Sequence, residues 1–138
     1  MSKKFENILK ESKAMGEIND CAVIAVAVAT NNSYKKVHSM LAKLGREKGQ
    51  PTPDSTSDYA MAKLGYAVAN ITHTIKAKTV KSACKELQNG TYLVTIKGHI
   101  FAVVNGSIKD WAWAIGNIAK FKIDSVQQVV KIEVNGGY

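Results

Sequence analysis

The chain has 138 residues, 46% of them apolar and 22% charged, enough for one domain with its own core. No apolar run approaches the roughly 20 residues that span a bilayer. The lysine-bearing first residues lack the apolar block and cleavage site of a signal peptide. A cytoplasmic protein with no membrane partner is therefore expected. The net charge of +8 raises the prospect of a nucleic-acid surface, but Arg46 is the only arginine among 19 basic residues and the lysines are scattered. Solvated lysine-rich faces are the favoured reading, and nucleic acid is a possible but unfavoured partner.

In chain order, residues 5–13 space Phe5, Ile8 and Leu9 as a helix does, so residues 1–17 form a short helix or an N-terminal arm. Asn19-Asp20 precedes an apolar stretch and carries an N-cap signal. The helix it opens, residues 21–30, is apolar nearly all round and belongs in the centre of the domain. Asn31-Asn32-Ser33 breaks it, and Ser33 can cap a helix over 34–44 whose apolar stripe is Tyr34, Val37, Leu41 and Leu44, closed by Gly45. Residues 46–57 read as a loop, 58–64 as a helix, 66–71 as a short strand, and 79–88 as a helix capped by Thr79.

From there the grammar changes to strands. Residues 91–97 and 99–104 are β-branched and aromatic, Asn105-Gly106 is a two-residue hairpin signal, and 107–113 is the returning strand. A last strand is expected over 129–134. Helices followed by a mainly antiparallel sheet make the fold class α+β, in a single domain over 1–138.

Two cysteines are too few for a disulfide framework, and no CxxC or Cys/His cluster suggests a metal. No cofactor is expected. Cys21 stands instead at the first turn of the buried helix, where free N–H groups and the helix dipole favour a thiolate. Asp20 opposes this unless it is turned away as the cap. A buried cysteine filling a helix start is the plainer alternative, and His99 argues against it.

His99 interrupts an apolar strand, where it needs a polar partner. With Asn105-Gly106 as the turn, Val104 pairs with Ser107, Phe101 with Asp110 and His99 with Ala112. Asp110 is then diagonal to His99 on one sheet face, close enough to orient the imidazole. Trp111 and Trp113 would cover the opposite face. Asn19 is either an oxyanion-hole donor or a plain N-cap. Cys84 reads as core, and His38 and His73 as structural or surface residues.

The block NDCAVIAVAVATNNSYKKVHSMLAKLGREKG, followed by GTYLVTIKGHIFAVVNGSIKDW, resembles small papain-like proteins encoded by bacteriophages. The resemblance runs from about Asn19 to Trp111, with a loose middle. It implies a papain-like cysteine peptidase fold in which Cys21 is the nucleophile, His99 its base, Asp110 the orienting acid and Asn19 the oxyanion donor. The expected activity is that of a peptidase or isopeptidase acting through a thioester on a host or phage protein in the host cytoplasm. Deamidation and acyl transfer would use the same residues. The alternative is a catalytically silent scaffold that binds and redirects a host protein or a nucleic-acid-handling factor.

Overall fold

Helix signals fill the first half of the chain and strand signals the second. The computed structural model describes residues 3–132, apart from the side chains of 112 and 113, and follows that division. Four helices come first: α1 (Lys3–Ala14), α2 (Cys21–Thr30), α3 (Tyr34–Lys43) and α4 (Asp54–Lys63). Then come β1 (Tyr66–Asn70), α5 (Val80–Glu86), β2 (Thr91–Ile96), β3 (His99–Val104), β4 (Ser107–Lys109), the single turn α6 (Ala112–Ile115) and β5 (Ser125–Lys131). The fold is α+β. Its strands form one antiparallel sheet in the order β1-β5-β2-β3-β4.

The sheet is covered on both faces. Leu93, Ile100 and Ala102 pack with α1, α2, α3 and α4, whereas Val94, Ile96, Phe101 and Val103 pack with α5 and α6. The alternation is the period-2 pleat read off the sequence. Every residue of α2 except Cys21 and Val28 is buried, which is what its all-round apolar surface requires. Each fully buried valine or isoleucine there contributes about 1.5–3 kcal/mol relative to exposure. The first segment is not an arm: it is α1, and its Phe5 and Ile8 enter the same core.

α2 runs beside β3 in the same direction. Its head residue Cys21 shares a cleft with His99, while Val28 and Asn31 at its far end line a cavity with Val104. That parallel course brings the first residues of two distant elements together.

Several local expectations hold in detail. Ser33 caps α3 by accepting from Lys36 N at 3.2 Å, and Thr79 caps α5 within a capping box. Asn105 and Gly106 both have positive φ (49° and 82°), so the turn matches the twist of its strands and Val104 pairs with Ser107. Gly106 also lies so close to α5 that a Cβ would come within 3.0 Å of the Cys84 carbonyl.

Others need correction. α4 begins at Asp54, four residues early, because Pro53 sits at its N-cap position and Asp54 suits the positive helix end. Leu44 falls outside the α3 stripe and is half-exposed. β4 ends at Lys109: the chain turns at Asp110, whose Oδ1 accepts the N–H of Trp111 at 2.7 Å, and coils into α6 instead of continuing to 113. The last strand starts at Ser125, and residues 133–134 lie outside the described residues.

Candidate active site

His99 opens β3 after the turn residue Gly98, whose φ of 71° suits a tight β2–β3 connection. Its Nε2 hydrogen bonds Asp110 Oδ2, and the carboxylate is buried. Cys21 lines the same cleft as this ring and is among the groups that raise it. Nε2 is taken by Asp110, which leaves Nδ1 as the ring's other polar atom. Burial disfavours the charged ring, but its hydrogen bond to Asp110 and the nearby Cys21 outweigh it and raise His99 to about 9. The imidazole is thereby held as an imidazolium at neutral pH.

The structure thus brings Cys21, His99 and Asp110 together. Two of the expected hairpin pairs, Phe101 with Asp110 and His99 with Ala112, do not form because β4 ends at Lys109, yet the Asp110 carboxylate still reaches the ring. Trp111 does not cover the opposite face. Once the chain leaves the strand at Asp110, alternation no longer applies, and the indole stacks on His99 with ring centroids 4.9 Å apart. The side chain of Trp113 lies outside the described residues.

Asp20 is turned away from the thiol, but not as a cap. Its side chain makes no cap hydrogen bond. It is instead a buried acceptor for Ser12 Oγ, for Tyr34 OH at 2.8 Å and for Trp111 Nε1 at 2.9 Å. Burial and the Asp20 carboxylate both push the Tyr34 phenol up, so it stays protonated and donating. The first helical bond of α2 runs from Ile24 N to Asp20 O. The N–H groups of Cys21, Ala22 and Val23 therefore precede the ladder, as donors at a helix head do.

Asn19 is not brought into the cleft. Its φ of 53° carries the side chain toward the loop after α3, where Nδ2 donates to Gly49 O at 3.0 Å. It lines a separate cavity with Ile18 and Trp111. The oxyanion role expected of Asn19 therefore has no support in this geometry, and the backbone N–H of Cys21, which precedes the α2 ladder, is the donor left for it.

Behind Asn19 lies a cluster that sequence reasoning missed. The buried Glu17 carboxylate accepts from Arg46 at 2.9 and 3.1 Å and from Gly49 N at 2.9 Å, and His38 Nε2 lies 2.5 Å from it. Arg46 above all, against the cost of burial, holds Glu17 down at about 2. His38, read from the sequence as a structural or surface residue, thus has an acid partner in Glu17. The chain's one arginine serves as a strut inside the protein, unavailable to nucleic acid. A signal existed: Tyr34 and His38 are four apart on one helix face, so each needed a polar partner.

The cleft holding Cys21 and His99 has a volume of about 400 Å³ and is also lined by Pro51, Thr52, Asp54, Thr95, Ile96 and Asp124. Cys84 is free, half-buried against α5's core, and burial pushes its thiol up. Among the described residues no group of three His, Cys, Asp or Glu side chains is placed to hold a metal, and no helix is long and apolar enough to cross a membrane. No family model matches the chain, and comparison with curated proteins and with solved structures returned no match.

Proposed function

We propose that the protein is a papain-like cysteine hydrolase of phage type, a peptidase or isopeptidase working in the host cytoplasm through a Cys21-His99-Asp110 centre. The supporting observation is the meeting of a helix-head thiol with a carboxylate-bound imidazole in one open cleft.

In this reading the Cys21 thiolate attacks the substrate carbonyl carbon, and the N–H of Cys21 receives the oxyanion. Collapse of the adduct breaks the C–N bond and leaves a thioester, while the His99 imidazolium gives its proton to the departing amine. Neutral His99 then takes a proton from water, which attacks the thioester and frees the acid. Asp110 keeps the ring oriented and stabilises its charged form throughout. Ammonia as the departing amine makes the reaction a deamidation, and an amine in place of water makes it acyl transfer.

The test is intact-mass analysis of the protein with a mixed peptide pool. An adduct on Cys21 that decays with peptide cleavage, and is absent from Cys21→Ala, supports the reading. Cleavage by Cys21→Ala at the wild-type rate overturns it.

A second reading has its own support. Lys81, Lys85 and Lys109 line a groove of about 520 Å³ beside the edge strand β4, and suit a silent scaffold that binds an acidic host protein. A biological effect retained in full by Cys21→Ala would favour it.

A further inference from the structure

Apart from His99 itself, the charged residues that line the Cys21–His99 cleft are acidic. Asp54, the first residue of α4, and Asp124, which precedes β5 and is anchored by its N–H to Thr95 O at 2.8 Å, both line it. Both carboxylates are exposed, and among the described residues neither is in an ion pair. No lysine lines this cleft, in a chain with 19 basic residues. A positively charged protein thus presents a negative mouth at its thiol.

His99 is paired with the buried Asp110, so Asp54 and Asp124 set the sign of the field at the cleft mouth. The lining also includes the apolar Ala22, Pro51, Ile96 and Ile100. Beside Asp54, the Thr52 hydroxyl is buried with no hydrogen-bond partner among the described residues, and a substrate backbone group would supply one. An aliphatic stem ending in a cation matches this pattern, since the stem lies on the isoleucines and the charged head reaches a carboxylate.

We infer that the cleft selects basic polypeptides, placing a lysine or arginine side chain between Asp54 and Asp124. The inference rests on the cysteine-hydrolase reading and adds the substrate class to it. Repulsion of acidic chains is the other half of the selection, because a substrate carboxylate here would face two like charges.

Three peptidyl vinyl sulfones, differing only in lysine, norleucine or glutamate next to the warhead, test this on the full chain. The Cys21 sulfur adds to the vinyl carbon and the neighbouring carbon takes a proton, so mass gain at Cys21 reports the rate. The lysine probe is expected to label about tenfold faster than the norleucine probe at low salt, and the glutamate probe slowest. Added salt compresses the series. In the Asp54→Asn/Asp124→Asn double variant the lysine-to-norleucine ratio falls toward one, and in Asp54→Lys the glutamate probe gains. Equal labelling by all three probes in the wild type overturns the specificity while leaving the thiol chemistry standing. Failure of all three, with iodoacetamide no faster at Cys21 than at Cys84, overturns the hydrolase reading beneath it.

Discussion

The indole of Trp111 lies over the His99 ring at 26° with centroids 4.9 Å apart, and its Nε1 donates to Asp20 Oδ1 at 2.9 Å. The residue before the thiol therefore holds, through an indole, the ring that faces the thiol. Asp110 closes the circuit, since one carboxylate oxygen bonds His99 and the other the backbone N–H of Trp111. Asp110 and the indole thus fix the ring at the cleft that Cys21 also lines.

Trp111→Phe tests that circuit. It keeps an aromatic face over His99 and removes the donor to a buried carboxylate, a loss of about 1–3 kcal/mol in urea unfolding. Iodoacetamide alkylation of Cys21 near neutral pH should slow several-fold. An unchanged alkylation rate at reduced stability would make the indole a packing residue only.

Asp110→Asn removes the charge that helps raise His99 to about 9. The ring then drops toward its ordinary value near 6.5, and turnover at neutral pH should fall by about 10²-fold or more. In the wild type, the leaving-group proton is lost as pH rises through about 9, so turnover should decline there. In Asp110→Asn the decline should move to lower pH, which a pH–rate profile detects.

Stability should show the same groups from both sides. His99, raised on folding, stabilises fully below about 6.5, and that contribution is lost as pH climbs through about 9. Glu17, lowered on folding, stabilises fully above about 4.5, and its contribution is lost as pH falls toward about 2. Melting temperature should therefore be highest between these limits. Arg46→Ala leaves the buried Glu17 without its main partner and should cost about 3–5 kcal/mol by urea unfolding.

Asn19→Gly keeps the positive φ and deletes the side chain. Since the Asn19 amide is engaged by Gly49 and not by the cleft, turnover should change less than about threefold. A loss of about 10²–10³-fold is what deleting an oxyanion donor produces, and would restore Asn19 to that role.

Local signals carried much of this arrangement. The all-apolar helix from Cys21, the Ser33 and Thr79 caps, and the Asn105-Gly106 turn all rest on chemistry within a few residues, and each stands where pattern and propensity put it. The reach from Asp110 to His99 was legible for the same reason, although the carboxylate arrives from a turn and not from a strand. What was illegible depends on partners far along the chain. Glu17 meets Arg46, and Asp20 meets Trp111, only after the helices and the hairpin have docked. The N-cap pattern at Asp20 was misleading because three buried donors compete for its carboxylate. The early start of α4 was hidden by the prolines, which mark a loop as readily as a helix entrance.

The central relationship is the pairing of Cys21 with His99, and site-resolved alkylation across pH measures it most directly. Iodoacetamide rates at Cys21 and Cys84 are followed by peptide mass spectrometry from pH 5 to 9, in the wild type and in His99→Ala. The expected result is a Cys21 rate already high in the acidic range, far above that of Cys84, which collapses to an ordinary thiol profile in His99→Ala. Equal rates at the two cysteines, or a Cys21 profile indifferent to His99→Ala, would contradict it.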